Sequence, residues 1–103
     1  MWKTALAVFA LSTLAMSNVA MSQEGRIHIF ESRYGVGERM MPVGAIVAAR
    51  CEGRYRCEFP VRNEFFGRDP AFGIVKEVVV HWTCGAARNR SAFPENSEAR
   101  LSC

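Results

Sequence analysis

Apolar and polar residues alternate in "RIHIF" (26 to 30), which puts Ile27 and Ile29 on one face of an expected strand. The stretch "YGVGE" follows, and its two glycines allow a tight turn. In "PVGAIVAARCEG" (42 to 53) the spacing changes: Val43, Ile46, Val47 and Arg50 recur at helical offsets. Pro42 near the start and Gly53 beyond the end frame a short helix there. "CEFPV" (57 to 61) returns to alternation, with Cys57, Phe59 and Val61 on one face and Pro60 marking an edge or a bulge. "IVKEVVVHWTC" (74 to 84) is long, β-branched and apolar on both faces, so it is expected in the middle of a sheet. "GAARNRSAFPENSE" lacks alternation and reads as a loop, and "ARLSC" as a last strand. The fold expected is mainly β (α+β): a small antiparallel β-sandwich with one short helix.

The first residues change the domain reading. Lys3 and the apolar run "TALAVFALSTLAMS" have the charge and length of a signal peptide. The run is short for a membrane span, and the competing reading is an uncleaved anchor. Small residues favour cleavage after Ser22, with Ala20 as the second choice. Residues 1–22 are therefore expected to be a leader and residues 23–103 a single domain. With Lys3 set aside, the 13 basic and 10 acidic residues of the chain become twelve against ten. Their signs alternate instead of forming a basic stripe, which argues against nucleic acid as a partner. The expected location is secreted or periplasmic, with no stable membrane insertion once the leader is gone.

Four cysteines, Cys51, Cys57, Cys84 and Cys103, all follow the leader. An even count in a short exported chain points to a disulfide framework, and a core of this size benefits from such staples. Zinc would want closer Cys/His pairs than His28 and His81 supply, so neither metal nor other cofactor is expected. Both histidines read as strand residues, and no nucleophile–histidine–carboxylate set is credible. The chain is read as a non-enzyme. Its only aspartate, Asp69, and its only lysine beyond the leader, Lys76, lie seven residues apart in "NEFFGRDPAFGIVK".

The run from Cys51 to Cys84 resembles the second half of the rhamnose/galactose-binding lectin domain. The likeness is carried by Cys51, Gly53, Cys57, Asn63, Gly67, Asp69, Pro70, Gly73, Lys76 and Cys84 in that order. "GRIHIFESRYG" is similar to that family's first strand and Tyr-Gly motif, at Tyr34 and Gly35. The chain would be a shortened, divergent and bacterial member. Val36 stands where the family has Arg, Ala71 where it has Cys, and Arg68 is an extra residue before the aspartate. A cysteine-bearing loop and an acidic residue on the leading strand are missing. The resemblance implies a Cys51–Cys57 bridge, and it leaves Cys84 without its usual partner, for which Cys103 is the replacement.

It also implies a glycan partner, a rhamnose- or galactose-like sugar, held by Tyr34, Asn63, Asp69, Gly73 and Lys76. The chemistry suits the residue types. A short carboxylate accepts from adjacent hydroxyls, an amide and an ammonium add donors, and an aromatic ring covers the apolar sugar face. A competing reading takes Asp69 as a turn starter, Asn63 as the cap of a bend and Tyr34 as a core aromatic with its hydroxyl satisfied. The alternative to a lectin is a periplasmic inhibitor or protein-interaction module, for which exposed "NEFFG" aromatics would meet another exported protein, or a structural envelope protein.

Overall fold

The computed structural model describes residues 25–103; the expected leader and its cleavage point lie outside them. Strand β1 (Ile27–Val36) forms a hairpin with β2 (Arg39–Pro42) through a two-residue turn at Gly37–Glu38. Helix α1 (Gly44–Cys51), β3 (Arg56–Pro60) and the single-turn helix α2 (Asn63–Phe66) follow. The chain ends with β4 (Glu77–Cys84), β5 (Ala87–Pro94) and β6 (Glu98–Ser102). Four strands make one antiparallel sheet in the order β2-β1-β4-β5, and β3 and β6 make a second antiparallel sheet. The fold is thus mainly β in two antiparallel sheets, with α1 as its one helix of more than a single turn.

Alternation decides what lies between the sheets. Ile27, Ile29 and Tyr34 of β1 and Val78, Val80 and Trp82 of β4 are buried on one side. Cys57 and Phe59 of β3 and Ala99 and Leu101 of β6 meet them from the other, while α1 adds Val47 and Cys51. An aromatic cluster closes one end: Phe66 packs 4.3 Å from the Tyr34 ring and edge-on to both Phe59 and Phe65. Such pairs add about 0.5–1.5 kcal/mol each beyond area burial. Arg50, in the last turn of α1, lies over the Phe65 ring and donates to the carbonyl of Glu58, tying helix to β3.

Several elements depart from the sequence expectations. The turn expected in "YGVGE" begins later, because Gly35 still belongs to β1. A Cβ at Gly35 would come within 1.9 Å of the Arg39 carbonyl, so glycine serves close strand approach there. Residues 74 to 76 are a loop and β4 starts at Glu77, although β4 does lie inside its sheet between β1 and β5. The segment read as a loop holds β5, which is paired along its full length with β4. It is an edge strand whose outer residues face solvent, so no apolar alternation was needed to form it.

Cys51 is bonded to Cys57 and Cys84 to Cys103. The first bridge pins the end of α1 to β3. The second joins the end of β4 to the C-terminus after β6, and so links the two sheets. No helix of the described residues is long and apolar enough to cross a membrane.

Candidate functional site

Four pieces of chain meet at one end of the larger sheet. Tyr34 stands near the end of β1 and Asn63 is the first residue of α2. Loop 67–76 carries Asp69, and the connection from β5 to β6 carries Glu95. The pairing of Glu77 with Pro94 places residues 76 and 95 side by side, and the Glu95 N–H donates to the Lys76 carbonyl at 2.8 Å.

Lys76 is the hub. Its side chain is 3 % exposed, and its Nζ lies 2.7 Å from the Ile74 carbonyl and 3.1 Å from that of Ala71. The same Nζ pairs with Asp69 Oδ1 at 3.1 Å and Glu95 Oε1 at 3.2 Å. Glu95 Oε1 also accepts the Lys76 backbone N–H. Burial alone pushes the ammonium down, but the hydrogen bonds to Asp69 and Glu95 outweigh it and hold Lys76 above the ordinary lysine range. Partial burial pushes the Asp69 carboxyl up; the Lys76 hydrogen bond and the Ala71 N–H outweigh that and hold it below the usual aspartate range.

This explains the lysine. A compact ammonium on a flexible stem can sit among two carbonyls and two carboxylates, whereas a planar guanidinium demands a fork-shaped partner. The expectation that Lys76 presents its amine to a ligand is corrected: the amine faces inward and fastens the loop.

Tyr34 is corrected in the same way. Its ring is fully buried against Phe66 and cannot cover a sugar face. Its hydroxyl donates to Asn63 Oδ1 at 2.7 Å. Burial, and next the nearby Glu95 and Asp69 carboxylates, push the phenol up to about 12. Tyr34 thus holds Asn63 from beneath.

Asp69 has a turn role, since its Oδ1 accepts the Ala71 N–H at 3.0 Å, two residues on. Its side chain is still 27 % exposed, and Oδ2 has no hydrogen bond among the described residues. Asn63 is half-buried, and its Nδ2 likewise donates to none of them. These two atoms are the outward-facing acceptor and donor of the cluster. Gly73 lies at φ +79, a left-handed conformation at the open tip of the loop, with nothing within 4 Å of a built Cβ.

Glu95 escaped the sequence reading because it lies in the stretch taken for a loop; only the β4–β5 register brings it to Lys76. It borders an open cleft of about 460 Å³ together with Asn63, Arg62, Glu64, Phe65, Pro60 and Asn96. The "NEFFG" aromatics expected on the surface are also corrected: Phe66 is buried and Phe65 half-buried. The exposed apolar residues of this part of the chain lie farther on, with Phe72 at 88 % and Val75 at 73 % exposure, and Ile74 between them.

Comparison with protein-family models, with curated proteins and with solved structures finds no match.

Proposed function

We propose that this chain is an exported, non-enzymatic carbohydrate-binding domain of the rhamnose/galactose-binding lectin type, with one weak monosaccharide site. The observation that carries the reading is a pair of ties at one end of the fold, Tyr34 to Asn63 and Lys76 to both Asp69 and Glu95, which fix an outward amide and an outward carboxylate oxygen there. Asn63 and Asp69 are the direct contacts in this reading, with the neighbouring Glu95 carboxylate beside them. Tyr34 and Lys76 hold them in place, and Gly73 leaves the loop tip open. A shallow, solvated site of this kind binds a single sugar with a dissociation constant on the order of a millimolar, so useful affinity needs several copies or a multivalent glycan. Two disulfides in a domain this small suit an oxidising compartment and support a secreted or periplasmic location.

The test is a glycan array on the oxidised protein, followed by titration of the best ligand against Asp69→Asn. The asparagine keeps an Oδ1 for Ala71 and Lys76, removes the charge and turns the outward acceptor Oδ2 into an N–H donor. Loss of sugar binding with the fold retained is the expected result. Unchanged binding, or no glycan retained by the parent protein, rejects the reading.

One observation favours a second reading. Phe72, Ile74 and Val75 project from a loop that Lys76 fixes from within, which is the arrangement of a protein-contacting wedge. A module of that kind would lose its partner on Phe72→Ser and keep it on Asp69→Asn.

A further inference from the structure

The outer face of the larger sheet carries a second concavity, far along β4 from Lys76. Register in β1 shifts between Ile29 and Glu31, where β1 opposes Trp82 and His81 of β4. The extra residue of this bulge is Phe30, which is turned out to 74 % exposure. Beside it, Thr83 pairs with Arg88 on this outer face, whereas the neighbouring Trp82–Asn89 pair turns its side chains the other way, towards the core. Directly opposed side chains in such pairs lie about 5 Å apart. Phe30, His81, Trp82, Thr83, Arg88 and Asn89 line a cavity of about 160 Å³. A cavity of about 150 Å³ holds benzene, so this volume fits one six-membered ring.

Charge narrows the ligand. Glu31 is held by Arg33 at 2.8 Å and Glu52 by His28 at 2.7 Å, so the carboxylates nearest this face already have partners. Arg88, and Arg90 opposite His81, make no ion pair among the described residues.

We infer that this bulge pocket is a binding site for a six-membered ring bearing one carboxylate, taken as an acidic sugar or an aryl acid. The Phe30 ring covers the ligand's apolar face, and the Arg88 guanidinium takes the carboxylate as a fork. His81 and Thr83 add hydrogen bonds around the rim. The site shares no residue with the Asp69 cluster, so either proposal can fail without the other.

Amide NMR titrations of the oxidised protein with galacturonate, galactose and benzoate test it. Galacturonate or benzoate should give saturable shifts at Phe30, Thr83 and Arg88, and whichever does so identifies the acidic sugar or the aryl acid as the source. Arg88→Gln and Phe30→Ala, both at exposed positions, should each weaken binding at least tenfold, while Arg88→Lys keeps part of it. The inference is overturned if neither acid saturates these amides, if neutral galactose saturates them equally well, or if Arg88→Gln binds as the parent does. Galactose shifts confined to Asn63, Asp69 and Gly73 report on the other site alone.

Discussion

The Tyr34 phenol gives the most direct readout of the candidate site. Its folded value of about 12 lies above the ordinary 10, so folding retains a proton that the unfolded chain gives up. Stability from this group is fully present below pH 10 and is lost as pH rises toward 12. The difference corresponds to at most about 3 kcal/mol. Lys76, held above its ordinary range, acts in the same direction over its own alkaline window. Denaturant unfolding between pH 9 and 12 should show the fall, and Tyr34→Phe should flatten it. A phenolate absorbance titration should place the Tyr34 transition in the upper part of that range, lost in the same variant. Asp69 and Glu52 act oppositely. Burial pushes each carboxyl up, but hydrogen bonds, from Lys76 and from the Ile29 N–H respectively, hold both below their ordinary values. Their contributions are present above the unfolded carboxylate range and are lost as pH falls through the folded values.

Loop 67–76 behaves as an element although it contains no helix or strand. Its fixed points are the Asp69 turn, the Ile74 N–H donating to the Ala71 carbonyl, and the buried Lys76 ammonium. Lys76→Met should keep the stem and remove the charge, leaving two carbonyls and two carboxylates without their common partner. Hydrogen exchange is then expected to accelerate across residues 70–76 and at Glu95, with smaller change in β3 and β6. Equal protection in parent and variant would deny the hub role. The sequence marked out Asp69 and Lys76, each the sole residue of its type after residue 22, and left open whether their spacing was accidental. It could not show that the amine points inward, because that depends on carbonyls the loop supplies only when closed. The same limit hid β5: pairing with β4 supplies its order, and no alternation of its own announces it.

Across the whole molecule the two sheets depend on covalent ties. The Cys84–Cys103 bridge spans 19 residues and Cys51–Cys57 spans 6, for which chain-entropy arithmetic gives about 3 and about 2 kcal/mol. Together these approach the whole net stability of a small domain, about 5–15 kcal/mol. Reduction is expected to lower the denaturant midpoint sharply, and Cys84→Ser/Cys103→Ser to cost more than Cys51→Ser/Cys57→Ser. The reverse order, measured by urea unfolding, would mean that the short bridge carries strain relief or packing beyond chain entropy.

Local pattern was enough for β-rich architecture, for α1 and for the central place of β4, because alternation, helical spacing and β-branching act over a few residues. Composition was enough for a disulfide framework; the expected resemblance to a lectin domain suggested Cys51–Cys57, and Cys103 was the cysteine left over for Cys84. Which polar groups face outward was a matter of the assembled fold. Tyr34 went inward because the aromatic cluster of Phe59, Phe65 and Phe66 offered it a seat, and Lys76 because a closed loop and the β5 register surrounded its ammonium with oxygen. Such choices join residues up to tens of positions apart, beyond the reach of any local sequence signal.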